Sequence, residues 1–356
     1  MQENDGGTGP AVTRGGPGGR VTMRDIAERA GVHMSTVSRV LSQPPLASSL
    51  TPTAVRVRKI AKEMGFEPDQ WAASLRSGRT RSVGVVMSRL SDVVVALVFE
   101  AIEQTLSENG LQSLLVGAND TPETQKRRVD GLLGRRVDGL LLGASRLDDP
   151  FLDQLAEQEV PYVLTLRSSG EHPAVTVDDE LGGYLAARHL IERGHQRIGV
   201  VAGPRFTSTS RDRERGFARA CAEAGMPLPA DLVVECGFDV EAGGRAAKIL
   251  MDSPRPPTGV FAMTDYAAMG VIGACRDRGL TVGRDFALVG YHDLATSAQL
   301  SIPLTSVRSP LQEVGRQAAE MLLRRMAGEE VASARLAPTL RVRASSAAAW
   351  PDPAVD

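Results

Sequence analysis

Residues 30–43, AGVHMSTVSRVLSQ, crowd four hydroxyls and one guanidinium into a single short segment. Helical spacing places Val37, Val40 and Leu41 on one stripe, at i, i+3 and i+4. Ser35, Thr36, Ser38 and Arg39 are left largely on the opposite face. Hydroxyls and a planar guanidinium are donors for phosphate oxygens and base edges, so this face suits a nucleic acid. The groups that would support catalysis or metal binding are not assembled in the same way. There is no Gly-x-x-x-x-Gly-Lys-[Ser/Thr] and no Gly-x-Ser-x-Gly. His189 and His195 are six residues apart and share no helix face, and His195 follows the helix stop at Gly194, which reads as structural. Asp178 and Asp179 precede a helical stretch and read as caps rather than an acid/base pair. Cys221, Cys236 and Cys275 match no zinc spacing and read as reduced thiols.

The elements that hold the polar face start upstream. Thr22 with Asp25 three residues on is a capping pair for a helix over 23–30, and Gly31 can take the left-handed conformation that ends it. A second helix covers roughly 34–41. Two short helices joined by a glycine turn form a helix-turn-helix. Thr51-Pro52 starts a third helix, whose Val57, Ile60, Ala61 and Met64 close a small core and which Gly65 ends. Pro68 interrupts the chain, a short amphipathic turn carries Trp71, Ala72 and Leu75, and a Ser-Gly-Arg-Thr linker follows.

Charge agrees with this division. The 356-residue chain has a formal net charge of −2, yet residues 20–81 hold eleven Lys/Arg against five acids. A head of +6 on a body of −8 is the footprint of a protein whose head meets a polyanion. The chain is long enough for two or three compact units. No apolar run of membrane-spanning length occurs. Residues 1–20 lack an apolar signal core and read as a disordered leader, so a cytoplasmic protein is expected.

Downstream, VGVVM, QSLLVGA, DGLLLGA, PYVLTL, RIGVVAG, TGVFAM and FALVGY read as buried parallel strands alternating with helical stretches. Such an α/β pattern makes doubly wound sheets that bind ligands at the carboxyl ends of their strands.

The segments VTMRDIAERAGVHMSTVSRVL, GFEP, WAASLRSGRTRSVGVV, HLIERGHQRIGVVAGP, RERGF, VGYHD and PLTSVRSP, in this order, resemble the lactose/galactose-repressor family of bacterial transcription regulators over residues 20–345. The resemblance implies a small all-α helix-turn-helix head on an α/β, periplasmic-binding-protein-like body of two doubly wound lobes. It divides the chain into a leader (1–20), a DNA-binding head (21–67), a hinge helix and linker (68–81), a body (82–345) and a disordered tail (346–356). Within the body, lobe 1 is expected at 82–170 and 296–325, and lobe 2 at 171–295 and 326–345.

Site roles follow from the same resemblance. Met34, Ser35 and Arg39 stand where the family reads bases. Thr22, His33, Thr36, Ser38 and Ser42 stand where it meets phosphate, His33 replacing the usual Ser or Thr. Ala72 and Leu75 stand where an apolar wedge enters the minor groove. Ser88, Arg213, Phe238, Thr264 and His292 stand in the effector cleft. His292, Thr264 and Leu166 replace acceptors that are commonly Asp, Asn and Asp. An unusual sugar, an anionic metabolite, or no strong small ligand therefore stay open. No cofactor or metal is expected, and no enzyme activity. The expected partners are a pseudo-palindromic double-stranded operator, a small effector and a second copy of the chain. No leucine-heptad tail follows Ser346, so a dimer is the default. A repressor is the first expectation. An activator or a regulator answering a protein partner is the alternative, and a solute-binding protein the remote one.

Overall fold

A computed structural model describes residues 21–42, 51–66, 79–348 and 350. The contacts divide the chain near Gly78 into two units.

The first unit contains α1 (Met23–Ala30), α2 (Met34–Ser42) and α3 (Pro52–Glu63). Thr22 and Asp25 form a reciprocal capping box: the Thr22 amide donates to Asp25 Oδ2 at 2.8 Å and the Asp25 amide to Thr22 Oγ1 at 3.4 Å. Gly31 ends α1 at φ 63°, a conformation that spares only glycine a steric penalty. His33 caps α2 in turn, since its Nδ1 accepts the Ser35 amide at 3.2 Å and lies 2.8 Å from Ser35 Oγ. Ile26, Val37 and Val57, one from each helix, are fully buried and pin the three together. The expected hinge, with Ala72 and Leu75, and the loop 43–50 lie outside the described residues.

The second unit is built on two six-stranded sheets. The strands are β1 (Ser82–Met87), β2 (Gln112–Gly117), β3 (Gly139–Gly143), β4 (Tyr162–Thr165), β5 (Ala174–Val177), β6 (Ile198–Ala202), β7 (Val233–Glu235), β8 (Gly259–Ala262), β9 (Ala287–His292), β10 (Thr305–Arg308), β11 (Ala334–Leu336) and β12 (Thr339–Arg341). The first sheet runs β11-β5-β4-β3-β1-β2 and the second β12-β10-β9-β8-β6-β7, every pair parallel except β10 with β12. Helices α4 (Val93–Glu108), α5 (Pro122–Leu133), α6 (Pro150–Glu157) and α11 (Leu311–Met326) belong to the first lobe. Helices α7 (Asp179–Glu192), α8 (Ser208–Glu223), α9 (Val240–Met251) and α10 (Asp265–Asp277) belong to the second.

The lobe boundaries expected from sequence need correction. Strand β5 hydrogen-bonds to β4, so the first crossover comes after Val177 and not near 170. Strand β10 pairs with β9, so the chain stays in lobe 2 through Arg308 rather than leaving it at 296. It returns to lobe 1 for α11 and β11, which pairs with β5, and crosses last between Leu336 and Thr339, not at 326. The misplaced strands are three or four residues long, and several are mixed in polarity, so their membership is set by distant hydrogen-bond partners and not by local pattern. The expected disordered tail also needs correction, because Ser346 is buried and donates to Thr305 Oγ1 at 2.8 Å. Trp350 packs against His195 with ring centroids 4.7 Å apart and planes tilted by 37°.

His195 is almost fully buried, with Nδ1 2.9 Å from Thr258 Oγ1. Burial pushes its pKa down to about 4, so the folded body holds it neutral. Its unfolded value is higher, so between about 6.5 and 4 the unfolded chain binds the extra proton and stability falls as pH falls. His189, buried against Ser346, acts in the same direction. Asp265, pushed up to about 6 by burial, acts oppositely, so a comparison of variants is required. Urea unfolding at pH 7 and pH 5 should show His195→Phe losing less stability than the parent on acidification. Equal losses would remove His195 from the titration.

Candidate functional site

The α2 face carries the first site. Met34 is 53% exposed, and His33, Ser35 and Arg39 are exposed beside half-buried Thr36 and Ser38. Thr22 lies exposed at the start of α1. No acidic residue occurs in α2, and Arg39 has no acidic partner among the described residues. Arg58 Nη2 donates to the Val40 carbonyl at 3.1 Å, fixing the helix from behind. The surface can thus offer a guanidinium, several hydroxyls and one apolar side chain to a groove, without a carboxylate to repel phosphate. Ser42 ends α2, and its side chain lies outside the described residues.

The second site lies between the lobes, at the carboxyl ends of both sets of strands. Ser88, Arg213, Phe238, Thr264 and His292 all line one cavity there. Ser88 follows β1, Arg213 sits on α8, Phe238 precedes α9, Thr264 caps α10 and His292 ends β9. Leu166, which also lines it, and His292 hold positive φ of 65° and 102°. Such backbone costs on the order of 1–3 kcal/mol per residue and clusters at binding sites.

Arg213 is the centre of this wall. Its Nε donates to Asp179 Oδ1 at 2.8 Å, its Nη1 to the Met263 carbonyl at 2.5 Å, and its Cζ lies 3.6 Å from the centroid of the Tyr291 ring. Tyr291 Oη donates to the same Asp179 oxygen at 2.8 Å. Burial pushes the Asp179 carboxyl up, while Arg213 and Tyr291 pull it back toward the charged form. The pair meets because α7 and α8 cross closely: a Cβ on Gly183 would strike the Arg213 backbone and one on Gly216 the Glu180 backbone. Asp179 was expected to be a cap. Asp178 alone takes that part, accepting the Leu181 amide at 3.0 Å, and Asp179 is the buried counter-ion.

Several residues not singled out from the sequence complete the cavity. Arg167 Nη1 donates to Asp120 Oδ1 at 2.5 Å. Asp92 caps α4 through Oδ1, accepting the Val94 amide at 2.9 Å, and burial raises its pKa. An Asp before the apolar run VVVALV is a helix-start signal, which was the one available clue to Asp92. Thr264 has its hydroxyl spent internally, accepting the Ala267 amide and donating to the Phe238 carbonyl, both at 3.0 Å. Its contribution to the wall is therefore shape and not a free donor. His292 is buried with Nδ1 3.2 Å from Ser309 Oγ, and burial beside Arg213 pushes its pKa far down, leaving it neutral.

The lobes are held together around this cavity. Leu147 N donates to the Phe206 carbonyl at 3.0 Å, Ser168 N to Ser208 Oγ at 2.9 Å, and Arg89 Nη1 lies 3.5 Å from Asp239 Oδ2. Arg146 sits 3.9 Å above the Phe206 ring. About 60 Å³ remains for water centres, room for about four waters at roughly 10–15 Å³ each. A metabolite pocket needs roughly 300 Å³ or more, and a recess of about 570 Å³ that shares Arg89, Asp92 and Phe238 adjoins this cavity.

Comparison with known proteins fits this arrangement. Residues 22–69 match the bacterial regulatory proteins of the lacI family, and residues 187–346 match a periplasmic binding protein-like domain. The chain is 33% identical over 332 residues to the HTH-type transcriptional repressor PurR of Escherichia coli O139:H28 (strain E24377A / ETEC), spanning 92% of this chain and 97% of PurR. The Lac repressor dimer bound to operator and the anti-inducer ONPF superposes with a TM-score of 0.81 at 26% identity, covering 92% of this chain and 99% of that one. The transcriptional regulator CelR in complex with cellobiose does so with a TM-score of 0.70 at 32% identity, covering 92% and 100%. The chain belongs to the lacI family of bacterial regulatory proteins. It is a DNA-binding transcriptional regulator, with the helix-turn-helix head and two-lobed α/β body of that family. These relatives are repressors and regulators, not enzymes.

Proposed function

We propose that this chain is a cytoplasmic repressor that acts as a homodimer on a pseudo-palindromic operator, and that a neutral, hydroxyl-rich small molecule between its lobes controls it. Two-fold symmetry of the protein would match two half-sites. Met34, Ser35 and Arg39 would read base edges, Arg39 through a bidentate guanine contact. Thr22, His33, Thr36, Ser38 and Ser42 would set the head on phosphates. Ala72 and Leu75 would enter the minor groove. Ser88, Arg213, Phe238, Thr264 and His292 would surround the effector, with Phe238 offering a ring face.

The observation that carries the choice of effector is the pairing of charge in the cleft. Arg213, Arg167 and Arg89 already face Asp179, Asp120 and Asp239, and His292 is neutral. Among the described residues that line the cavity, every arginine has an acidic partner, whereas Asp92 has no salt-bridge partner and retains an oxygen that can accept a hydroxyl. The anionic effector left open by the sequence loses its support, and the sugar-like alternative gains it. The cellobiose bound to CelR is of that chemical type. A ligand that binds one lobe arrangement better than the other couples cleft to operator by that difference in affinity.

The test is fluorescence anisotropy on a palindrome from the gene's own upstream region against scrambled DNA at fixed salt, without and with neutral mono- and disaccharides. Specific binding should be about 10³–10⁷ tighter than random binding. One sugar should shift it, and Phe238→Ala should weaken that sugar's effect at least tenfold. Equal affinity for both DNAs, with genome-wide selection also finding no site, would sink the operator reading. A response confined to anionic metabolites and abolished by Phe238→Ala would sink the effector reading.

A further inference from the structure

The second unit receives the chain from the DNA-binding head at Arg79. Its first residues are tied to lobe 1 by one carboxylate. The Thr80 amide donates to Asp138 Oδ1 at 2.9 Å and the Arg81 amide to Asp138 Oδ2 at 2.7 Å. Both oxygens of Asp138 are therefore spent on two consecutive amides of the incoming chain. The Thr80 hydroxyl donates to the Arg136 carbonyl at 2.7 Å, which pins the same point to the turn before β3. The next bonds belong to the sheet: the Gln112 amide donates to the Arg81 carbonyl at 2.9 Å, and the Asp138 amide to the Ser82 carbonyl at 2.8 Å.

Arg81 holds φ 55° and Arg136 φ 57° among these bonds. A residue with a Cβ keeps that left-handed backbone only where its surroundings hold it there. The side-chain bonds lie outside the sheet ladder, which β1 and β3 make through their own backbones from Val83 with Gly139 onward. A sheet needs no carboxylate at 138; a fixed direction for the chain before Ser82 does. From this clamp β1 and β3 run side by side to the cleft, in parallel register as far as Met87 with Gly143. Strand β3 is buried along its whole length. Gly143 at its far end and Ser88 just past β1 both line the interlobe cavity. At about 3.3 Å per residue, the ladder spans roughly 13 Å from clamp to cavity wall.

We infer that Asp138 is a positioning residue for operator binding. Its carboxylate fixes the place and direction in which the linker to the head leaves lobe 1. A linker that starts from a fixed end has fewer arrangements to lose when the head seats on bases in one register. Without the clamp the chain before Ser82 is released and specific binding weakens. Binding to random DNA does not weaken with it, because that binding is driven by phosphate charge and accepts many orientations. The β1–β3 pair carries a displacement at the cleft to the same place, a contiguous path for coupling between ligand and operator. Only this last step rests on the effector cleft of the proposed function.

The test uses the full chain, with a duplex that the parent selects from random sequence as specific DNA and its scrambled form as reference. In the free protein, hydrogen exchange should show the Thr80 and Arg81 amides protected in the parent and exchanging at least tenfold faster in Asp138→Ala. Anisotropy at fixed salt should show that variant binding the selected duplex at least tenfold more weakly and the scrambled duplex as the parent does. Asp138→Asn keeps the shape and one acceptor, so it should melt like the parent and fall between the two proteins on both readouts. Fast exchange at Thr80 and Arg81 in the parent, or unchanged specific binding in both variants, overturns the inference. Equal losses on both duplexes in Asp138→Asn overturn it also, because they mark a damaged fold and not a misplaced linker. Selection that recovers no duplex does so too, and sinks the operator reading with it. No effector enters these readouts, so failure of the proposed sugar leaves them untouched.

Discussion

Replacing Arg213 with methionine is expected to cost the body about 3–5 kcal/mol, because it leaves the Asp179 carboxylate buried without its cation. Asp179 is only 5% exposed, and its remaining partner on that oxygen is the Tyr291 hydroxyl. The removed guanidinium also vacates its stack on the Tyr291 ring and its bond to the Met263 carbonyl. With the cation gone, burial, the largest influence on Asp179, is opposed only by the Tyr291 hydrogen bond and drives the carboxyl toward the neutral acid. Much of the loss should return in the double variant Asp179→Asn, Arg213→Met, where neither charge is buried alone. Calorimetric melting of parent, single and double variants measures this. A single variant as stable as the parent would show that the pair is not fully desolvated in solution. The expectation for function is equally direct: one wall of the proposed effector cavity is organised around this pair, so on the proposed function the single variant should lose its effector response before it loses operator binding.

Replacing Arg39 with alanine is expected to remove about 1–3 kcal/mol of base discrimination at each half-site. A dimer on two half-sites would lose about twice that, so specific affinity would drop by roughly 30-fold to more than 10⁴-fold on conversion at 1.4 kcal/mol per decade. Binding to scrambled DNA should change far less, since Arg39 is one cation among the eleven of residues 20–81. The distinction rests on geometry: Arg39 is exposed on a helix without acids, and no carboxylate among the described residues diverts it. Anisotropy against operator and scrambled DNA across a salt series resolves the two roles. A phosphate contact would lower both affinities alike and reduce the salt slope by about 1.

Local rules made the head legible. The capping pair Thr22 and Asp25, the turn at Gly31 and the Thr51-Pro52 start are interactions within three or four residues, and the helices stand where those signals put them. The long buried strands were legible for the same reason, since runs such as GLLLG need only their own apolarity to be recognised. His33 was read as an unusual residue at a helix start, and its imidazole turns out to do what a Ser or Thr cap would do. The five cleft residues placed by resemblance do line one cavity. What the sequence left hidden was which charges cancel. Asp179 and Arg213 are 34 residues apart, Asp120 and Arg167 47, and Arg89 and Asp239 150.

The sequence by itself therefore determined the class of this protein: a basic helix-turn-helix head on a doubly wound body, each written in capping residues, turn glycines and hydrophobic period. Only the tertiary structure decided where the chain changes lobe, because three- and four-residue strands such as β5 and β10 take their sheet from hydrogen-bond partners that local sequence does not encode. It also decided the character of the cleft. A buried or crowded ion acts according to whether an opposite charge reaches it, and that depends on folding distance. The same residue type is therefore spent in the cleft, at Arg213, and without an acidic partner among the described residues on α2, at Arg39.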